Sequence, residues 1–151
     1  MALKPDRVEA YTDVSFFMNE TGERGGIVVH STAGSGSAMD DSNAVVEYAA
    51  DQSGTNPAGL LLCDVVDLDL TRQHINFHKD EVQKGSKVTI LRQGFVVTDM
   101  IVSGVTPTAG EPAYYGAEGL LTNVSTNSTQ VGRWLSEKDS EGYAKVDVNI
   151  T

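Results

Sequence analysis

Two histidines that lie four residues apart, His74 and His78, form the arrangement in this chain with the clearest potential for metal chemistry. A spacing of four places both imidazoles on one side of either a helix or a strand, and Asp80 or Glu81 could complete a ligand set. The zinc-protease pattern requires a glutamate directly after the first histidine, where this chain has Ile75. That form of catalysis is excluded. We expect structural or surface histidines, with a metal ion at an interface as the alternative.

The other residues with chemical potential lack the neighbours that a site would need. Asp64, Asp67 and Asp69 crowd one stretch, but the spacing of a calcium-binding loop is absent, which favours a solvated strand face. Cys63 is the single cysteine and is expected to be a small buried residue. The Gly- and Ser-rich stretch Thr32–Ser37 has no lysine after it and therefore no phosphate-binding pattern. We predict a protein that is not an enzyme and uses no cofactor.

Net charge narrows the choice of partners. The formal charge is −10 with a pI near 4.5, and residues 1–80 carry net −8 against −2 for residues 81–151. Binding to nucleic acid or to an anionic membrane depends on Lys and Arg, so neither partner is expected. The longest apolar run, Gly59–Cys63, is too short to span a bilayer, and the start of the chain has no secretory pattern. The acidic first half is either a solvated face or a surface for a basic partner.

The elements that would hold these residues are strands. From Gly85 to Ile150, short apolar runs are separated by glycine-bearing turns, one of them expected at Gln93–Gly94. In the last run, alternation with a period of two puts four apolar side chains on one face: Ala144, Val146, Val148 and Ile150. The pattern predicts an all-β fold, a small β-barrel or sandwich with Gly-rich hairpins and an extended N-terminal arm.

The first half is predicted to contain an arm followed by further strands. We expect one domain over residues 1–151, with residues 1–18 as the arm and 19–151 as the β body. Val14–Met18 and Ile27–His30 are predicted strands, and Ala44–Ala50 is taken as a strand although Ala and Glu also favour helix. After the loop Asp51–Gly59, Val66, Leu68 and Leu70 alternate with aspartates, which predicts a half-buried strand.

The later part of the chain resembles a known family. Residues 57–151 are similar to the head decoration, or capsid cement, proteins of tailed bacteriophages. The segments that carry the resemblance are Pro57–Leu62, Asp64–His74, Lys79–Val82 with Gly85, Val105–Tyr114, Val131-Gly132 and Gly142–Val148. The resemblance is one of turns and strands, not of an active-site signature.

The resemblance implies a structural protein of the virion. It would be made in the host cytoplasm, bind the outer surface of the assembled head and bridge neighbouring major capsid subunits, most simply as a homotrimer. An apolar run beside a loose terminus suits strand addition, so we predict capsid contacts at Val14, Phe16, Phe17 and Met18.

The aromatic residues of the second half leave further alternatives open. We expect Tyr114, Tyr115 and Trp134 to pack in the core or at a subunit interface. The same three residues could instead form the stacking surface of a carbohydrate-binding or host-adhesion module of a virion. A role in the tail or baseplate and a metal-dependent enzyme built on His74 and His78 are the remaining alternatives.

Overall fold

A computed structural model describes residues 2–31, 44–67 and 81–150 of the chain. This part is almost entirely β, which confirms the predicted fold class. Its strands are β1 (Val8–Met18), β2 (Ile27–His30), β3 (Val45–Glu47), β4 (Pro57–Leu61), β5 (Asp64–Val66), β6 (Glu81–Gln83), β7 (Lys87–Thr98), β8 (Pro112–Tyr115), β9 (Leu121–Thr122), β10 (Gln130–Trp134) and β11 (Ala144–Asn149). A short 3₁₀ turn over Ala117–Gly119 connects β8 to β9.

The longest strand, β7, holds the fold together. One of its edges pairs antiparallel with β1, and the other pairs with β4 near Leu91 and with β11 from Gln93 to Thr98. The turn predicted at Gln93–Gly94 is therefore wrong, because the chain continues through it as one strand of 12 residues. Gly94 has a φ of 145°, a conformation that glycine adopts without steric cost, so β7 continues through this point in regular register with β11, opposite an irregularity in β1.

Five strands close into a ring. β1 pairs with β3 in parallel and with β7 antiparallel, while β2 lies between β3 and β4, and β4 returns to β7. The pairings β1–β3–β2–β4–β7–β1 thus form a small barrel. Its interior is a cluster of buried side chains: Met18, Val28, Val46, Ala58, Leu61, Cys63, Val65, Val88 and Ile90. The prediction of a buried Cys63 is confirmed at 6% exposure.

A second core lies between the outer face of this barrel and a sheet in the order β7-β11-β10-β8-β9. β2 contributes to both cores, since Ile27 and Val29 face the second core and Val28 faces the barrel interior. A strand buried on both faces has no polar side, which explains the continuous apolar run of β2. The predicted alternation of the last strand is confirmed, with Ala144, Val146, Val148 and Ile150 all buried in the second core.

The N-terminal segment is part of the sheet rather than a loose arm. Leu3 is 1% exposed and forms a bridge with Thr98, and the Lys4 amide donates a 2.8 Å hydrogen bond to the Val97 carbonyl. β1 then pairs with β7 from Val8 to Phe17. Sequence could not reveal this docking because a single buried leucine beside Lys4 and Pro5 produces no periodic pattern.

The middle of the chain is described only in part. β3 confirms that Val45–Glu47 is a strand and not a helix. In β5, Val65 is the buried residue at 2% exposure and Val66 is half-buried, so the predicted inward position of Val66 is wrong. Val65 is fixed by its bridge to Gly22, whose amide and carbonyl both bond to it. Leu68 and Leu70 lie outside the described residues.

Candidate functional site

The structure describes only one residue of the predicted metal site. His74, His78 and Asp80 lie outside the described residues, while Glu81 begins β6 and is half-buried. Within residues 2–31, 44–67 and 81–150, no three His, Cys, Asp or Glu side chains are grouped so that they could hold a metal ion. Asp64 instead accepts a 2.9 Å hydrogen bond from the Arg24 amide and so fixes a loop.

The titratable groups with shifted pKa values have structural surroundings. Burial raises the pKa of the Tyr48 phenol, whose hydroxyl donates to the Glu23 carbonyl at 2.5 Å. A hydrogen bond from the Ser15 hydroxyl lowers the pKa of Asp13 below its ordinary value of 3.8. Each of the two groups has a hydrogen-bond partner that helps to hold the fold: the Glu23 carbonyl for Tyr48 and the Ser15 hydroxyl for Asp13.

Glu20 is the group for which a pH effect on stability can be derived. Burial raises its carboxyl pKa above the ordinary value of 4.5, and its Oε1 accepts a 2.7 Å hydrogen bond from the Tyr48 amide. The folded chain therefore holds the proton more tightly than the unfolded chain. The resulting stability is fully present below the unfolded pKa near 4.5 and is lost as the pH rises through the folded pKa.

We expect Glu20→Gln to be more stable than the native chain at neutral pH and equally stable near pH 4. Glutamine keeps the acceptor for the Tyr48 amide and cannot ionise. Denaturant unfolding across this pH range measures the difference. Glu20→Ala is the matched control, since it removes the acceptor as well and should be less stable than Glu20→Gln at every pH. An unchanged pH dependence in Glu20→Gln would contradict the assignment.

The four predicted capsid contacts divide into exposed and buried residues. Val14 is 59% exposed and Phe16 is half-buried, with its ring centroid 5.5 Å from that of His30. Phe17 and Met18 are 8% and 0% exposed, and Met18 lies inside the barrel. The prediction is wrong for Phe17 and Met18 as surface residues, because both pair with β3 where the ring closes, and Lys87 Nζ lies 5.6 Å from the centroid of the Phe17 ring.

The open part of β1 carries the largest group of exposed apolar side chains in the described chain. Val8, Tyr11 and Val14 are 49%, 54% and 59% exposed, and we call these three residues the β1 surface. Irregular register with β7 occurs between Glu9 and Tyr11 and again after Asp13. Bulges of this kind break strict alternation, which allows residues three apart all to be exposed.

One edge of this strand has no partner among the described strands over most of its length. The pairing of β1 with β3 involves only Phe17 and Met18, so no described strand covers the outer edge from Val8 to Ser15. Next to it, Tyr11 borders a cleft of about 240 Å³ together with Arg92, whose guanidinium lies 5.7 Å from the Tyr11 ring centroid. Val8 and Tyr11 were missed in the sequence because they lie in the segment predicted to be an arm.

Comparisons with known proteins do not assign this chain to a family. No protein-family model matches the chain, and no curated protein matches it either.

The aromatic residues predicted at a subunit interface lie mainly inside the fold. Trp134 and Tyr115 are 0% and 1% exposed, whereas Tyr114 is half-buried. The prediction of core packing is confirmed for Trp134 and Tyr115, and their use as an interface or as a stacking platform for sugars is wrong. Trp134 Nε1 is buried with no hydrogen-bond partner among the described residues, while the Tyr115 hydroxyl contacts Thr55.

No helix in the described part of the chain has the length and apolar character needed to cross a bilayer.

Proposed function

We propose that the protein is a capsid decoration protein of a tailed bacteriophage, which binds the outer surface of the assembled head and bridges neighbouring major capsid subunits. The observation that carries the proposal is the outer edge of β1, which no described strand pairs with between Val8 and Ser15, and the β1 surface exposed beside it. The resemblance of residues 57–151 to capsid cement proteins supports the same function. Behind this edge lies a β fold with two packed cores, and a protein that cross-links other subunits requires such a rigid body.

The proposed contact is strand addition. A segment of the major capsid protein pairs its backbone with β1 between Val8 and Ser15, and its side chains contact the β1 surface. Main-chain hydrogen bonds supply affinity, and the irregular register of β1 excludes strands that do not match its twist. Asp13 and Ser15 limit the pairing, since the Ser15 amide already donates to Asp13 Oδ1 at 2.8 Å.

The proposed contact becomes stronger when several copies of the protein bind to the same capsid shell. A homotrimer at a local three-fold position engages several capsid subunits at once, so that each further contact forms at a high effective concentration. The partners are therefore the major capsid protein and two further copies of this chain. Native mass measurement before and after addition to heads tests the trimer.

Charge on the β1 surface is expected to abolish attachment. In a sedimentation assay with expanded, empty phage heads that lack decoration, Tyr11→Glu and Val14→Glu should each lower the affinity by about tenfold or more, because a carboxylate would be desolvated at the contact. Val124→Glu is the matched control, since Val124 is 53% exposed but lies in the loop after β9.

Two comparisons make this test decisive: the binding of the control variant and the stability of all three variants. All three variants should unfold at the same denaturant concentration as the native chain, because the replaced side chains are exposed. Equal loss of binding in Val124→Glu, or full binding by both β1 variants, would disprove the proposed contact. Deletion of residues 1–18 is a poorer test, since it also removes the buried Leu3 and Met18.

A further inference from the structure

A second surface, separate from β1, has the lining of a ligand site. Two loops face each other across a cleft of about 350 Å³: residues 52–56, before β4, and residues 127–129, before β10. Its polar side chains are Gln52, Thr55, Asn56, Asn127, Ser128 and Thr129, all amides and hydroxyls. The volume lies at the lower end of the range of small-molecule sites.

Both walls of the cleft are fixed to the same buried residue. The Tyr115 hydroxyl lies 2.8 Å from Thr55 Oγ1 and donates to the Thr55 carbonyl at 3.1 Å. On the other side, the Ser128 hydroxyl donates to the Tyr115 carbonyl at 2.6 Å and accepts from the Tyr115 amide at 3.2 Å. Because Tyr115 is 1% exposed, it sets the width of the cleft from within the core.

Local turns fix the two loops in addition. The Thr55 hydroxyl donates to the Gln52 carbonyl at 2.6 Å, and the Ser128 amide donates to the Ser125 carbonyl at 3.2 Å. Asn127 has a φ of 53°, a left-handed conformation that asparagine tolerates better than most residues. The backbone that presents the amides is thus held in place before any ligand arrives.

The polar side chains that make no hydrogen bond within the described fold face the cleft. Thr55 and Ser128 use their hydroxyls within the fold, whereas no hydrogen bond among the described residues engages the side-chain amides of Gln52, Asn56 and Asn127. Each amide offers both donors and an acceptor. Three such groups around one cleft match a ligand whose own groups donate and accept at neighbouring positions.

The side chains that line the cleft favour one chemical class of ligand. Among the described residues, no Lys, Arg, Asp or Glu side chain lines the cleft, although the chain as a whole carries a net charge of −10. An anion would need basic partners, a metal ion would need carboxylates, and an apolar ligand would need apolar walls. The lining therefore suits a neutral polar ligand, and the neighbouring hydroxyl groups of a sugar ring both donate and accept hydrogen bonds, as the three amides do.

We propose that this cleft binds a neutral carbohydrate unit, with Gln52, Asn56 and Asn127 as the residues that hydrogen-bond its hydroxyls. No exposed aromatic ring lines the cleft, so a single site lacks stacking and binds weakly. Several copies displayed on one particle compensate by avidity. The cleft residues lie in the loops before β4 and before β10, and none of them pairs with β1, where the capsid contact is proposed.

Amide NMR titration of the ¹⁵N-labelled protein tests the proposal, with glucose, galactose, mannose and N-acetylglucosamine as neutral probes and glucuronic acid as the charged one. We expect at least one neutral sugar to shift the amide signals of residues 52–56 and 127–129. Asn56→Ala and Asn127→Gly should each weaken that binding by about tenfold. Glycine at 127 preserves the left-handed backbone.

Controls separate a sugar site from a surface that shifts with any solute. Asn19→Ala replaces an exposed amide elsewhere and should leave the titration unchanged. The proposal is overturned if no neutral sugar shifts the cleft signals, if glycerol or glucuronic acid shifts them equally, or if both cleft variants bind as the native chain does. A glycan array with the protein clustered on beads then distinguishes a terminal sugar of a surface polysaccharide from a free sugar.

Discussion

Replacement of Trp134 by alanine is expected to lower the free energy of unfolding by about 3–5 kcal/mol, the range for removal of a large buried aromatic residue. Trp134 is fully buried in the second core, among the side chains of β7, β8 and β11. Chemical denaturation at fixed protein concentration measures the loss. The neighbouring Leu135, which is 42% exposed, is the matched control, and Leu135→Ala should change stability by no more than about 0.5 kcal/mol.

The same series distinguishes a core residue from an interface residue. Trp134→Phe should cost clearly less than Trp134→Ala, since it retains most of the apolar volume and removes an indole N–H that has no partner. If Trp134→Ala changed the native mass of the protein while leaving the stability of the single chain unaltered, its placement in the core would be contradicted.

Alanine at Gly94 is expected to destabilise the chain by about 3 kcal/mol or more. A Cβ at this position would overlap the carbonyl oxygen of Val8 on the paired strand, and the φ of 145° is unfavourable for any other residue. β7 cannot move away to relieve this overlap, because it is also paired with β11 at this point. We expect the first half of β1 to detach, with faster hydrogen exchange at Val8 to Tyr11.

Gly104 provides the matched control for this substitution. It also has a positive φ, 83°, but a Cβ there would meet no atom within 4 Å. Gly104→Ala should therefore show only the backbone strain, about 1–2 kcal/mol, with unchanged exchange in β1. Equal losses in the two variants would mean that the contact with Val8 is not what requires glycine at position 94.

Sequence patterns predicted the strands whose surroundings are regular. β11 alternates because one of its faces packs on the second core and the other meets solvent, and β3 was correctly assigned from its two valines. The continuous apolar run of β2 indicated a strand, but its cause, burial against two different cores, depends on partners far away in the chain.

The errors came from long-range contacts. The glycine within β7 indicates a turn in the sequence, and only the antiparallel pairing with β1 and β11 shows that the strand continues through it. The open edge of β1 was missed because bulges removed the periodicity by which a strand is recognised. The polar cleft had no signal at all, since residues 52–56 and 127–129 are ordinary loop sequences that become neighbours only through Tyr115.

β7 belongs both to the barrel and to the outer sheet, and this has a mechanical consequence. Its first half closes the barrel and its second half begins the outer sheet, so the two cores share one continuous backbone, with Val88 and Ile90 in the barrel interior and Leu91 and Val96 in the second core. Neither core can open without exposing part of the other, and the described chain should therefore lose its structure in one cooperative step. A load applied at β1 would pass along the β1–β7 ladder into both cores at once, which distributes the force over many hydrogen bonds loaded together.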